Sequence, residues 1–424
     1  MQMRRISGRV GLICLAALLV LSMGVAASPK TARTKVQVIS WWDFTNSRPL
    51  IELKAKFEEL NPDLELDYIR IGTGYADKML VMIAGGADLP DVMMIAMDKV
   101  PIFADKGAIM KLDKYIESDY KAEMAKLYPV VADALTVKGS YYAMPRDITS
   151  KVMFFNKQLF AEAGVAIPGP DWTWDDFRAL AKKLTRDTNK DGVTDQWGFY
   201  FPKYTDGWTD WLMQNEGGLV TKEGQSLLGK AESIEALKFL QSLCVADKVV
   251  PTETQAQQYG KANTAPFIAG KVAMLSGGLS VSVDLINNKV DYEVRPLPKG
   301  KNRTNIAFVN AWAIPAGAKR PDLSWRVLKF FASKEAQQIA LGTNMGLPAR
   351  KDVDVSAFVK ARPDNKYFID SLAESKPFPT PLRGVDFFKL IEKEFDMMWL
   401  GERSVDDAVR AVEKKAADVL AGKM

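Results

Sequence analysis

Two hydrophobic periods alternate along this chain, and that alternation restricts its possible folds more than any other feature. Val36 to Trp42 repeats every second residue, as a strand does. Ser47, Pro49 and the face Leu50, Leu53, Phe57, Leu60 describe a capped helix with proline in its first turn. Asn61-Pro62 ends it. Leu64, Leu66 and Tyr68 alternate again, Tyr75 to Ala84 is helical up to Gly85-Gly86, and Asp91 to Ile95 is a third strand. Strands alternating with helices predict an α/β fold built on parallel sheet. Ligands of such sheets bind beyond the carboxyl ends of the strands. Asp43 to Asn46 and Ala96 to Lys99 occupy those positions.

At 424 residues the chain is too long for one core, so two lobes are expected. The stretch Tyr141 to Gly164 marks where one lobe gives way to the other. Pro145-Arg146-Asp147 is a polar break, Lys151 to Phe155 is β-prone, and Asn156 caps a helix that Gly164 stops. Arg146, Asp147 and Thr149 would face whatever lies between the lobes. Further along, Thr173-Trp174-Asp175-Asp176 is a capping box, and Trp197 to Phe201 and Val272 to Leu275 read as strands. Pro296 and Pro298 mark a second crossing before the strand Ile306 to Ile314, which carries Asn310 and Trp312. Gly346-Leu347-Pro348 marks a third. The two tail segments Phe387 to Leu400 and Val405 to Leu420 are helical.

Residues 1–27 read as a signal peptide rather than as part of the fold. Arg4, Arg5 and Arg9 precede the apolar run Val10 to Met23, too short to span a bilayer comfortably, and Ala26-Ala27 suits a peptidase. Cys14 lies inside the apolar run, away from the cut, so no lipid anchor is expected. Cys244 is then the only thiol and no internal disulfide can form. The formal charge of +5 is spread without a basic stripe, which argues against nucleic acid as a partner. The chain has no histidine, which removes Ser-His-Asp and Cys-His nucleophilic machinery and histidine-ligated metals.

Aromatics cluster near the expected cleft. Trp42, Trp208, Trp211 and Trp312 sit beside polar residues or glycine, where flat rings can pack on the C–H faces of sugars. The segment Asp187 to Asp195 has the spacing of a calcium loop. Asp187, Asn189, Asp191 and Asp195 stand at positions 1, 3, 5 and 9, Gly192 is the turn glycine, and Val193 falls at the carbonyl position. Position 12 is Gly198 instead of a bidentate glutamate, so an Asx-rich turn remains the competing reading. Apart from this possible structural Ca²⁺, no cofactor is expected.

Several segments, in order, resemble the sugar-binding family of bacterial extracellular solute-binding proteins that serve ABC importers, the family of maltose-binding protein. They are Trp41-Trp42-Asp43, Leu89-Pro90-Asp91-Val92, Phe103-Ala104-Asp105-Lys106-Gly107, Tyr142-Ala143-Met144-Pro145 and Phe155-Asn156-Lys157. Phe267 with Gly270 to Met274, and Trp325 to Gln337, complete the series. The resemblance implies a two-lobed periplasmic-binding-protein fold of type II, each lobe a mainly parallel sheet flanked by helices, joined by three crossings. The lobes would be residues 36–145 with 297–345, and 146–296 with 346–424.

Site residues follow from the same resemblance. Asp98 and Lys99 match a carboxylate and cation that bind sugar hydroxyls. Asp43, Thr45 and Asn46 match the first-strand loop, and Arg146, Asp147 and Thr149 the first crossing. Asp206 and Trp208 match a second-lobe loop, and Arg383 or Phe387 the place of a stacking aromatic. After Met274 the family's maltose binders carry a tryptophan, where this chain reads Leu275-Ser276-Gly277-Gly278. The implied function is non-catalytic: a monomeric periplasmic subunit that captures a sugar or oligosaccharide and delivers it to ABC permease subunits. A glycerol-phosphate-type ligand held by Arg146, Lys99 and Arg383 is the alternative. A secreted polysaccharide hydrolase or lyase is a further one.

Overall fold

The computed structural model describes residues 32–42, 47–86 and 88–423. The signal-peptide reading of residues 1–27 lies outside them, as do Asp43, Thr45 and Asn46. Among the described residues, no helix is long and apolar enough to cross a membrane.

Among the described residues the strands run β1 (Thr34–Ser40), β2 (Leu64–Arg70), β3 (Val92–Ala96), β4 (Thr136–Val137), β5 (Ser140–Tyr141) and β6 (Met144–Thr149), followed by β7 (Val152–Asn156) and β8 (Trp197–Tyr200). Then come β9 (Val272–Gly277), β10 (Tyr292–Arg295), β11 (Asn305–Ala313) and β12 (Ser375–Pro377). The larger sheet has the order β12-β11-β3-β1-β2, with β6 also paired to β11. β1 is parallel to both β2 and β3, and β11 runs antiparallel to β3. The smaller sheet has the order β10-β7-β9-β8. Only β8–β9 is parallel there, and β7 is antiparallel to both of its neighbours. The expectation of mainly parallel pairing therefore holds for the larger sheet and not for the smaller. The reason is local: β7 enters its sheet from the crossing instead of through a covering helix.

The helix after Ser47 forms over Arg48–Leu60 without a side-chain cap from Ser47, whereas two other expected helix ends are capped. Asn156 accepts from the Leu159 N–H and Gly164 closes that helix at φ 64°. Thr173 and Asp176 form a capping box at the N-terminus of the helix Trp174–Leu184, each side chain accepting from the other's backbone N–H. That helix lies so close to β8 that a Cβ at Gly198 would come 2.1 Å from the Ala181 carbonyl oxygen. The twelfth position of the calcium-like loop is thus glycine because helix and strand touch there.

The crossings are displaced from the sequence reading. Met144–Thr149 pairs with β11, so the chain changes sheet between Thr149 and Val152, not after Pro145. Pro145 sits inside β6, where the register against β11 slips between Asn310 and Ala311. Proline has no N–H for the ladder and is tolerated at such an irregularity. The slip leaves Arg146 without a partner across the ladder, and a bulge re-aims its residue. The second crossing runs from Arg295 to Asn305. At the third, Leu347 bridges Ile148, and Gly346 lies against the Asp147 side chain. Residues 346–424 do not all stay with the smaller sheet, because β12 returns to the edge of β11.

Candidate functional site

The three crossings converge. Lys151 donates its N–H to the Asn305 side chain, and Ser150 donates its hydroxyl to the Phe368 carbonyl. At this floor the bulge residue Arg146 is 2% exposed and lies 4.0 Å from the centre of the Trp42 ring. Its guanidinium forms an ion pair with Asp147. Asn310 donates to the other Asp147 oxygen at 2.9 Å. Burial pushes the Asp147 carboxyl above its usual range, while Arg146 and Asn310 pull it back. Thr149 fills the space in front of Gly278, where a Cβ would sit 2.3 Å from its methyl group. Ser276 is half-buried on β9 opposite Met153.

Above the floor, a cavity of about 180 Å³ opens between the sheets. Asp98, just past the end of β3, enters it from one side, and Tyr204 and Asp206 from the other. Phe308, Phe378 and Phe388 supply its apolar wall. Phe308 stacks on Phe378 with ring centres 5.2 Å apart, and Phe388 packs against the same ring. A larger cavity of about 990 Å³ shares Phe378 and Thr380 with it and runs on past Met97 and Tyr142. Lys222 and Asp133 form an ion pair at its edge. Apolar walls with few polar groups are the usual make-up of a small-molecule site.

The two acids differ in their partners. Asp98 is paired with Lys99 at 2.8 Å. Asp206 has one buried oxygen, Oδ1, with no hydrogen-bond partner among the described residues. Its carboxyl is raised above its usual range, first by burial and then by Asp210 and Glu392, with Lys151 opposing. Lys151 is committed elsewhere: it donates to Asp210 Oδ2 at 2.9 Å and to the Asp206 backbone carbonyl. Asp210 in turn accepts from the Ile306 N–H of β11, so this network ties the second-lobe loop to the crossing.

Four expected cleft residues belong to the core instead. Trp208 is fully buried against Phe395 and Trp399 and donates its indole N–H to the Lys203 carbonyl. Trp211 packs among Trp174, Phe177 and Phe239. Trp312 stacks on Phe331 with centres 4.6 Å apart. Phe387 is fully buried, and its neighbour Phe388 is the aromatic that reaches the cavity. The rings of these four residues bury their apolar area in the cores of the lobes. Arg383 is exposed beside the cavity residues Pro381 and Gly384. Sequence reasoning missed Tyr204, Phe308, Phe378 and Phe388. A usable mark was present for one: Phe308 alternates with the buried Ala307 and Val309 along β11.

The loop Asp187 to Asp195 is an Asx turn. Asp187 accepts from the N–H groups of Lys190 and Gly192, both at 2.7 Å. Asp191 accepts from the Val193 N–H and from the Asn189 amide, and Asp195 from Thr188. These oxygens face donors, and no acidic group of three that could hold a metal occurs among the described residues. The loop's carboxylates are engaged by its own donors. EDTA should therefore leave the melting temperature unchanged, whereas a calcium-dependent rise in a melting scan would restore the metal reading.

Comparison with known proteins agrees with this architecture. Residues 41–338 match the family model of bacterial extracellular solute-binding proteins, and the chain belongs to that family. It is a non-catalytic solute-binding protein, and family membership implies a location outside the cytoplasm. A maltotriose-binding protein of Pyrococcus abyssi is 25% identical over 71% of this chain and 63% of its own length. A mannitol-binding protein of Pseudomonas aeruginosa is 23% identical over 86% of this chain and 88% of its own. Among solved structures, an ABC substrate-binding protein of Listeria monocytogenes in complex with cycloalternan superposes with TM-score 0.81 at 24% identity. It covers 92% of this chain and 100% of that one. The sugar-binding protein MalE of Xanthomonas citri gives 0.78 at 21% identity, over 92% and 98% of the two chains.

Proposed function

We propose that this protein is the carbohydrate-capturing subunit of an ABC importer. It takes a sugar or oligosaccharide between its two lobes and presents it to membrane permease subunits. The observation that carries the reading is the pair Asp98 and Asp206, contributed by opposite sides to one cavity walled by Phe308, Phe378 and Phe388. Carboxylates accept from sugar hydroxyls while aromatic faces cover the C–H surface. The relatives and solved structures whose names mention sugars support the same class of solute. In this reading the protein works as a monomer in the periplasm, after removal of its signal peptide and without a lipid anchor. The lobes divide by sheet, one around β1, β2, β3, β6, β11 and β12, the other around β7 to β10.

A phosphate-bearing solute is disfavoured by the same groups. Arg146 is committed to Asp147 and Lys99 to Asp98, and the cavity's own charged residues are acids. A thermal-shift screen against a sugar library identifies the solute, because a binder adds RT ln(1 + [L]/Kd) of stability. Calorimetry with that sugar should then show Asp98→Asn weakening binding by about 1.5–3 kcal/mol, the range for a hydrogen bond to a charged group. Wild-type affinity in the variant would remove Asp98 from the site, and a screen that finds only phosphate esters would reverse the choice of solute.

A further inference from the structure

A separate cavity of about 290 Å³ lies where the two lobes meet away from the solute cleft, and it shares no lining residue with the cleft cavities. Leu279, Ser282 and Val283 of the helix Leu279–Asn287 form one side, with Tyr292 of β10. Gln338 and Leu341 of the helix Lys334–Gly342 form the other. The first helix follows β9 of the smaller sheet, whereas the second packs on the helix Arg48–Leu60 and on β6 of the larger one. Ala357, Phe358 and Ala361 of the helix Ser356–Ala361 close the end, with Arg362 next to them.

Three polar atoms of this lining are buried without a hydrogen-bond partner among the described residues: Ser282 Oγ, Tyr292 Oη and Arg362 Nε. Ser282 is 3% exposed and Tyr292 2%. Buried hydroxyls and N–H groups nearly always have a partner, and here three without one line a single cavity, although the Arg362 guanidinium packs on the Tyr292 ring at 3.9 Å. Other polar groups of the lining have partners. Arg362 turns its terminal nitrogen to the Tyr292 carbonyl at 2.8 Å and to Asp364 at 3.1 Å. Gln338 and Asp354 bond each other, and Asn365 donates to the Phe358 carbonyl.

The unsatisfied set consists of one obligate donor, the Arg362 N–H, and two hydroxyls free to donate. The remaining wall is aliphatic or aromatic. The Arg362 charge is already matched by Asp364, and Asp354 stands on the lining, so a negative charge gains no cation here. We propose that this cavity is a second ligand site, for a small uncharged molecule with an aliphatic body and a carbonyl head, such as an aliphatic amide, ketone or lactone. Its occupant contacts elements of both lobes. Binding there therefore favours one lobe arrangement over the other.

Saturation-transfer NMR on the full chain, with hexanamide and hexanoate as probes, tests the site. Hexanamide should receive saturation from the wild-type protein, and hexanoate several-fold less. The signal should drop several-fold in Tyr292→Phe, which removes only the hydroxyl, and in Ala361→Leu, which narrows the cavity. It should persist in Asp206→Asn, whose change lies in the solute cleft. No transfer to hexanamide in the wild-type protein would overturn the proposal. So would a hexanoate signal equal to that of hexanamide, or an undiminished signal in a folded Tyr292→Phe protein.

Discussion

Replacing Arg146 with methionine should destabilise the folded protein by about 3–5 kcal/mol, the cost of leaving one member of a buried ion pair alone. The pair lies at the floor of the cleft with both side chains 2% exposed. Asp147 would keep only the Asn310 amide, beneath Gly346 with no room for water to enter from that side. Methionine keeps most of the arginine's apolar stem over Trp42, so lost packing contributes little. The double variant Arg146→Met with Asp147→Leu should regain much of the loss, because replacing both partners of a buried pair by apolar groups is often near neutral. Urea unfolding reads both effects. A single variant as stable as wild type would mean that Arg146 does not neutralise Asp147 in the fold.

Asp206→Asn should move stability and binding in opposite directions. Burial, with Asp210 and Glu392 nearby, penalises the ionised carboxylate, and Lys151 is already shared with Asp210. A carboxyl raised in the fold contributes its full share of stability below the usual carboxylate range. That share is lost as pH climbs through the raised value. At neutral pH the amide should therefore be more stable by about 0.5–2 kcal/mol, typical of relieving a strained functional position. The gain should vanish in acid, where the wild-type group is protonated. Solute affinity should fall roughly 100-fold, near the upper end for a charged hydrogen bond, since Asp206 lines the cavity and its Oδ1 has no hydrogen-bond partner among the described residues. A variant that is no more stable at neutral pH and binds as wild type would place Asp206 outside the site.

The parts of the fold governed by local rules were readable from residues alone. The Thr173–Asp176 capping box and the Asn156 and Gly164 ends stand where their residue types demand. The acids Asp98 and Asp206, expected from the segments they follow, both line one cavity. Orientation was not readable. Phe387 and Phe388 are neighbours on a helix, where successive side chains point about 100° apart, so an offset of one residue exchanges core for cavity. Trp208 follows Asp206 by two residues, yet the core around Phe395 takes it. Pro145 reads as a break between lobes, yet it lies inside β6 beside the bulge at Arg146, because only the pairing with β11 reveals the slipped register. The calcium-like spacing likewise arises in a loop whose carboxylates serve its own backbone.

In the proposed function the two lobes close on a solute held between Asp98 and Asp206, hinged at the crossings Ser150–Lys151, Pro296–Thr304 and Gly346. Hinge closure moves lobes as bodies and leaves their elements intact. Small-angle scattering, with and without the sugar that the thermal-shift screen selects, measures this directly. The radius of gyration should fall on saturation while the far-ultraviolet circular dichroism stays unchanged. A sugar that binds tightly and leaves the radius of gyration where it was would contradict the account.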